Sequence, residues 1–382
     1  MKAKSRSLAL VISAAFLIPL AGSIYMPNIG NVSNEFGYTY LVPLTVTGYV
    51  LAEALSYLVY GPLSDRYGRR KIYIPTLYGF TASCLLCYLS WSAEILVLFR
   101  IFQGLCITTG FAVGSAVIAD VFHPSVRGKA MGTFFAFPLI APPVGFFLGG
   151  FIGSFFGWRY VFLLLAIVGL FVAILFTLFF EETKSEFIED EGMRKIAFGV
   201  LRNRRFASST LLSVSLFATL YTFLVFFALI LSGTYGIASL GIGLIFMAVA
   251  LADSVFAYIG GRLSDAYSRR YVFVLGGVLC MVGTLLFTFS ITWVLWFPVT
   301  FYLIFAIGLG LSSPALVTYA LETAPRSTGT ASGIYSFMRS LAAACLTFGG
   351  YFVVERLSYE ALFILCTAFI VISLTMACLF AD

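Results

Sequence analysis

Charged residues are scarce in this sequence: Asp, Glu, Lys and Arg make up 10% of its 382 residues, whereas 61% are hydrophobic. So small a charged fraction cannot cover the surface of a water-soluble globule of this length. The chain has one histidine and seven cysteines, and the sequence shows no cluster with the spacing of a metal site and no nucleophile beside a base. The sequence therefore argues against an enzyme, predicts no cofactor, and places the protein in a lipid bilayer.

Long apolar runs account for most of the chain. A helical run of about 20 residues spans a hydrocarbon core of roughly 30 Å. We count twelve such runs and predict an all-α membrane protein with twelve transmembrane helices. Pro27 and Asn28 are expected to end the first helix. The predicted helices are residues 8–27, 41–63, 72–92, 95–118, 131–154, 159–180, 206–231, 238–263, 271–291, 293–318, 328–353 and 359–379.

A short polar segment occurs twice in the chain. Residues 61–70 read GPLSDRYGRR, and residues 261–270 read GRLSDAYSRR. Self-similarity on this scale indicates an internal repeat. We therefore predict two pseudosymmetric six-helix bundles, formed by residues 1–180 and 206–382.

The hydrophilic stretch 181–205 is the predicted cytoplasmic linker between the two bundles. Five of its apolar residues recur at helical spacing, which predicts a short amphipathic helix on the inner membrane surface. These residues are Met193, Ile196, Ala197, Val200 and Leu201.

Basic residues indicate the orientation of the chain. If the loop that contains Arg69 is cytoplasmic, only Arg159 and Arg356 among the loop Lys and Arg residues fall on the opposite side. Cytoplasmic loops carry the excess of Lys and Arg in membrane proteins. We therefore predict a multi-pass protein of the cell (inner or plasma) membrane with both termini in the cytoplasm. This asymmetry also explains the net charge of +6, so no nucleic-acid partner is predicted.

Four charged residues fall inside the predicted helices: Glu53, Arg100, Asp253 and Arg339. A charge at the bilayer centre costs at least ~2.5–3.5 kcal/mol, so such residues indicate functional sites. We interpret them as proton-coupling residues. Two alternatives stay open: Asp253 as the counterion of a cationic substrate, and Arg100 as a donor to carbonyls of the first helix that Pro19 leaves free.

Proline and glycine are concentrated in the fifth predicted helix. Pro142, Pro143 and Gly145 lie close together, and Gly149 and Gly150 follow one turn later. This composition predicts a kinked helix with a flat face that another backbone can approach closely. Ordinary tight packing is the alternative.

These residues together resemble the major facilitator superfamily of secondary transporters. Residues 61–70 resemble its loop signature between helices 2 and 3, and Arg100 to Gly104 resembles its Arg-x-x-Gln-Gly signature in helix 4. The fifth helix resembles the proline and glycine signature of the twelve-helix drug/proton antiporter branch. Helix 1 has no acidic residue, although some members of that branch have one, so symport and uniport also stay open.

The resemblance implies a latch that closes the cytoplasmic side. Arg69 would pair with Asp120, and by the repeat Arg269 would lie near Glu322. Asp65 would accept hydrogen bonds from the start of helix 11, where the helix dipole favours negative charge, and its repeat counterpart would face helix 5. The implied latch residues are Gly61, Asp65, Arg69, Asp120, Asp265, Arg269 and Glu322.

The family fold also suggests how the intramembrane charges meet. Helix 2 lies beside helix 11 in that fold, which implies an ion pair between Glu53 and Arg339 that protonation of Glu53 would release. A static salt bridge is the alternative. Several polar and aromatic residues lie on helices that the family uses to line its cavity. These candidate substrate-binding residues are Tyr49, Gln103, Tyr221, Tyr302 and Tyr335.

An aromatic, weakly acidic cavity suits lipophilic or cationic compounds. We therefore expect a monomeric secondary transporter that works by alternating access and exports amphipathic or cationic small molecules in exchange for protons. The alternative is a proton-coupled symporter or facilitator that imports a nutrient such as an organic acid or a sugar.

Overall fold

The computed structural model describes residues 2–37, 40–183, 202–322 and 328–380 of the chain. Its described residues are predominantly helical. The helices before the linker are α1 (Lys2–Ser23), α2 (Ile29–Phe36), α3 (Leu41–Tyr67), α4 (Arg69–Tyr88), α5 (Ala93–Ile107), α6 (Thr109–Val121), α7 (Pro124–Ala136), α8 (Ala141–Phe155) and α9 (Tyr160–Phe179). Those after it are α10 (Arg204–Thr222), α11 (Ala228–Gly233), α12 (Ser239–Ala266), α13 (Arg269–Ser290), α14 (Trp296–Glu322), α15 (Thr328–Arg356) and α16 (Tyr359–Phe380).

Eleven helical spans in the described ranges are long and apolar enough to cross a membrane. The twelfth predicted span corresponds to α4, which has 20 residues. Its first turn holds Arg69, Arg70 and Lys71, and its body contains several Tyr, Thr and Ser residues. These polar residues lower its mean hydropathy below that of the other spans. The all-α membrane fold with two six-helix halves is confirmed.

The first helix differs from its prediction. α1 begins at Lys2, and the chain continues past Pro27 through a 3-10 turn (Met26–Asn28) into α2. Pro27 is tolerated because it lies at the start of the 3-10 turn, where a missing N–H costs little. The helical chain instead ends at Gly37, whose φ of 83° lies in the left-handed region.

The fifth predicted helix is interrupted. A 3-10 turn (Phe137–Ile140) separates α7 from α8. Pro142 and Pro143 lack the N–H groups that would bond to the carbonyls of Pro138 and Leu139 in a continuous α-helix. The distortion therefore lies one turn before the two prolines.

Contacts divide the chain into two compact units. The first contains the described residues of Met1–Asp190 together with Ala238–Met247, and the second contains those of Glu191–Ile237 and Ala248–Asp382. The bundle boundaries given by the sequence remain a prediction. The amphipathic linker helix was predicted around Met193 to Leu201, which lies outside the described residues.

Corresponding helices pack together in the two units. In the first unit α4 packs against α9 and α5, and α1 packs against α8. In the second unit α13 packs against α16 and α14, and α10 packs against α15. When the helices are counted from the start of each repeat, these are the same three helix pairings. The two units therefore share one packing arrangement.

Candidate functional site

Glu53 lies halfway along α3 and is 9% exposed. The hydroxyl of Tyr57 donates to its Oε1 at 3.3 Å, and Thr108 Oγ1 donates to its backbone carbonyl at 3.2 Å. α3 approaches α5 closely, since a Cβ on Gly104 would lie 2.3 Å from the carbonyl oxygen of Tyr49. The packing of these two helices thus holds a carboxylate inside an apolar bundle.

Arg100 is completely buried on α5. Its Nε donates to the carbonyl oxygen of Thr45 at 3.1 Å, and its Nη1 donates to Oε1 of Gln103 at 2.5 Å. The guanidinium carbon lies 4.1 Å from the ring centre of Tyr49 and 4.8 Å from that of Tyr25. Cation–π contacts and hydrogen bonds offset part of the lost hydration of this charge, and Nη2 of Arg100 has no hydrogen-bond partner among the described residues.

These contacts correct one sequence expectation. The carbonyl that Arg100 engages belongs to Thr45 of α3, not to a residue of α1 near Pro19. Tyr49 and Gln103, predicted as substrate-binding residues, are both part of the Arg100 network. Gln103 Nε2 donates onward to Sγ of Cys84 at 2.9 Å. Their described contacts are those of a packed polar core.

Arg69 forms the centre of a polar cluster at one end of the first unit. It is 6% exposed, and its Nε lies 3.1 Å from Oδ2 of Asp120. Its Nη1 lies 2.5 Å from Oδ1 of Asp65 and donates to Ser64 Oγ at 2.7 Å. The pairing of Arg69 with Asp120 is therefore present. Its role as a latch stays a prediction.

A carboxylate that sequence reasoning missed completes this cluster. Glu182 follows α9, and its Oε1 accepts a hydrogen bond from the backbone N–H of Arg69 at 2.8 Å. Its Oε2 accepts from the N–H of Arg70 at 3.1 Å. Glu182 thus caps α4, where free N–H groups and the helix dipole favour an anion. The linker begins with two glutamates, which are suitable anions for a helix start. The sequence did not indicate that either of them would cap α4.

The second unit has an equivalent ion pair. A side-chain nitrogen of Arg269 contacts a carboxylate oxygen of Glu322. Asp265 lies on the exposed end of α12. The repeat thus reproduces the Arg–acid pair at the second copy of the polar segment.

Arg339 lies near the middle of α15 and is half-buried. Its guanidinium carbon is 4.1 Å from the ring centre of Phe217 and 5.4 Å from that of Tyr335. The hydroxyl of Tyr335 donates to Ser213 Oγ at 2.5 Å, which fixes that ring. The Nε of Arg339 has no hydrogen-bond partner among the described residues. Asp253 is half-buried on α12 and belongs to the same unit.

The remaining two aromatic candidates have different surroundings. Tyr302 is 1% exposed and stacks on Phe223 with ring centres 4.5 Å apart, while Phe227 packs on it edge to face at 5.6 Å. A π-helical segment (Phe223–Phe227) supplies both of these rings. Tyr302 therefore lies inside an aromatic core. Tyr221 is half-buried, with its ring centre 5.0 Å from that of Phe217.

The fold and these sites define a polytopic helical membrane protein with two repeated units and charged groups inside its apolar helices. Comparison with known families agrees: the profile of the Major Facilitator Superfamily matches residues 11–344 and 210–382. The chain belongs to this family of membrane transporters. The members of this family are transporters and not enzymes.

Known relatives include proteins named for transport. Efflux pump radE of Floropilus chiversii is 33% identical over 183 residues, which cover 47% of this chain and 34% of radE. MFS-type transporter hepF of Aspergillus oryzae is 24% identical over 388 aligned positions, covering 89% of this chain and 80% of hepF. The chain spans about a third of the length of several of the curated relatives it matches first.

Solved structures of transporters share the fold. A bacterial homologue of the human lysosomal transporter Spinster superposes with a TM-score of 0.84, covering 99% of this chain and 97% of the homologue. The human organic anion transporter MFSD10 superposes with a TM-score of 0.71, covering 98% of this chain and 99% of MFSD10. Both are 16% identical to this chain, so the likeness concerns the fold alone.

Proposed function

We propose that this transporter is a proton-coupled exporter of amphipathic or cationic small molecules that works by alternating access. The observation that carries the proposal is the presence of one carboxylate halfway along an apolar helix in each half of the chain. Glu53 occupies this position in α3, and Asp253 occupies it in α12. A charged carboxylate is costly at this depth and a protonated one is not, so proton binding can favour one conformation over another.

A proton gradient supplies sufficient energy for uphill export. One elementary charge crossing 100 mV releases about 2.3 kcal/mol, which corresponds to a concentration ratio of roughly fifty-fold. The name of radE, an efflux pump, supports the export direction for this chain. In this proposal Arg100 and Arg339 are the cations that modulate the two carboxylates.

The two Arg–acid clusters are the proposed latch. Arg69 with Asp65 and Asp120, and Arg269 with Glu322, would hold the cytoplasmic side closed and release it during transport. Gly61 and Asp265 belong to the same proposed latch. We place both termini in the cytoplasm, the protein in the cell membrane, and the working unit as a monomer.

The test is proton flux in proteoliposomes. With an imposed pH gradient and a cationic dye such as ethidium as the probe, a pH-sensitive dye inside the vesicles reports protons that move in exchange. Glu53→Gln and Asp253→Asn should each lower dye-dependent proton flux by about ten-fold or more, because neither variant can carry a proton at that position. Glu94→Gln is the matched control, since Glu94 is an exposed acid at the start of α5. Retention of gradient-driven transport by both variants would remove the proton-coupling proposal.

The import of an organic acid is the second candidate, and one observation favours it. Arg339 presents a guanidinium inside the second unit, and its Nε has no acceptor among the described residues. Cells that express the protein discriminate the two directions. Resistance to toxic amphipathic compounds supports export, whereas growth on an organic acid as the carbon source supports import.

A further inference from the structure

The guanidinium of Arg339 contacts aromatic rings of its own unit. Phe217 and Tyr335 lie within 5.4 Å of the guanidinium carbon. Within the described part of the second unit, no carboxylate oxygen lies within ion-pairing distance of Arg339, and its Nε has no acceptor. A guanidinium has five N–H donors in a planar fork. This fork is therefore available for a ligand.

Other arginines in the helical regions differ from Arg339. Arg100 donates to the carbonyl of Thr45 and to Gln103, and Arg69 pairs with Asp120 and Asp65. In those two cases protein oxygens accept hydrogen bonds from the guanidinium, as is usual for a buried charge, although Nη2 of Arg100 has no partner among the described residues. Arg339 keeps a charge inside the membrane span without such partners in the described part of its unit. The hydrogen bonds of Arg100 and Arg69 tie each of them to neighbouring helices, whereas the described part of the second unit offers Arg339 no such acceptor.

The surroundings of Arg339 indicate the shape of the ligand. The guanidinium carbon lies 4.1 Å from the ring centre of Phe217, so the ring covers part of the charged group and leaves its N–H groups as the polar feature of the site. A planar anion such as a carboxylate can accept two parallel hydrogen bonds from these groups. Phe217 and Tyr221 are both half-buried, and their ring centres lie 5.0 Å apart, so Tyr221 extends the aromatic surface that Phe217 presents to Arg339.

The depth of Arg339 fits a transported ligand. Arg339 lies eleven residues after Thr328, the first residue of α15, which corresponds to roughly 16 Å along the helix. A ligand bound there lies near the middle of the span, where many transporter folds place their substrates.

We infer that Arg339, Phe217 and Tyr221 form a subsite for the carboxylate of an amphipathic organic anion with an aromatic body. This inference rests on the proposed transport function only in treating that ligand as the substrate. It adds that those of the amphipathic compounds proposed above that bind at this subsite carry a planar anionic group. The hydroxyl of Tyr335, bonded to Ser213, positions the second ring against the guanidinium.

The test compares an aromatic carboxylate with its uncharged isostere. Binding of 2-naphthoate and of 2-naphthamide to the full-length protein in nanodiscs is measured by calorimetry, and benzoate with benzamide forms a second pair. The wild type should bind the carboxylates about ten-fold or more tightly than the amides, which is the ratio expected from charge-assisted hydrogen bonds to one guanidinium. Absence of this selectivity for both pairs up to millimolar concentrations would overturn the inference.

Substitutions within the subsite test whether its residues cause the selectivity for carboxylates. Arg339→Gln should abolish the preference for the carboxylate, and Arg339→Lys should retain only part of it because an ammonium lacks the planar fork. Phe217→Leu should lower the preference several-fold while leaving the charge in place, and it carries the test if Arg339→Gln does not fold. Arg356→Gln is the control, since it removes one positive charge from the exposed end of the same helix. Unchanged selectivity in Arg339→Gln and Phe217→Leu would contradict the inference.

The binding test is independent of proton coupling because it uses no pH gradient. If Glu53→Gln and Asp253→Asn retain proton flux while the wild type shows carboxylate selectivity, the proposed coupling fails and the subsite still stands. Selectivity that emerges only in Glu53→Gln would show that Arg339 is instead occupied by Glu53, and this result would overturn the inference while supporting the predicted ion pair.

Discussion

Gly68 lies directly against the carboxylate of Glu182, because a Cβ on Gly68 would be 2.6 Å from Glu182 Oε2. This contact follows from the cap that Glu182 places on α4, where it accepts hydrogen bonds from the N–H groups of Arg69 and Arg70. Gly68 also has a φ of 100°, which a residue with a Cβ rarely adopts. The left-handed backbone at Gly68 and the Glu182 cap on α4 therefore occur at the same place, and both favour glycine at position 68.

Replacement of Gly68 by alanine should destabilise the protein. The added methyl group would clash with Glu182, and the left-handed backbone would be strained, so we expect a loss of about 1–3 kcal/mol in unfolding free energy. Unfolding in mixed micelles measures this change. Gly61→Ala is the matched control, since Gly61 lies within α3 and an added Cβ there would have no atom within 4 Å. If the two variants are equally stable, the close contact at Gly68 has no energetic importance.

Glu182→Gln should weaken the start of α4. Glutamine retains one acceptor oxygen but loses the second acceptor and the charge that interacts with the helix dipole, at a cost of about 1 kcal/mol. Hydrogen exchange should accelerate at the amides of Arg69 and Arg70. Glu181→Gln should leave these amides unchanged, because Glu181 instead pairs with Arg6 at an exposed position. Equal exchange in both variants would argue against the cap.

The sequence predicted the fold class well because bilayer thickness sets the length of each apolar run. It also placed Arg69 with Asp120 and Arg269 with Glu322 through the family resemblance. The cap by Glu182 was missed because it joins segments that are far apart in the chain, and composition carries no information about such a contact. Long-range contacts of this kind depend on the complete helix arrangement.

Side-chain surroundings were harder to predict than helix positions. In a membrane helix both the lipid-facing side and the packed side are apolar, so hydrophobic periodicity does not show which way an aromatic residue points. Tyr302 was expected at a cavity and lies in an aromatic core with Phe223 and Phe227. Tyr49 was expected at the same cavity and packs on Arg100.

Alanine at Gly149 should disrupt the packing of α8 on the chain that follows α1. A Cβ on Gly149 would lie 2.0 Å from the carbonyl oxygen of Ile24, and a Cβ on Gly153 would lie 1.6 Å from Oδ1 of Asn28. Backbone atoms cannot move aside easily, so Gly149→Ala should cost about 1–3 kcal/mol. Gly132→Ala on α7 is the control, because no atom lies within 4 Å of a Cβ there. Thermal unfolding of the detergent-purified variants separates them, and a Gly149→Ala protein as stable as the control would contradict the close approach.

The ion pair of Arg69 and Asp120 should be energetically coupled. Arg69 is nearly buried and Asp120 is only 24% exposed in its side chain, so solvent screens their attraction less than at an open surface. A double-mutant cycle with Arg69→Gln and Asp120→Asn should give a coupling energy of about 1–2 kcal/mol. The same cycle on Arg6 and Glu181, whose side chains are 43% and 78% exposed, should give a smaller value because exposed pairs contribute little. A coupling near zero for Arg69 and Asp120 would mean that Asp65 and Ser64 alone hold the guanidinium, and the proposed latch would then lose its link to α6.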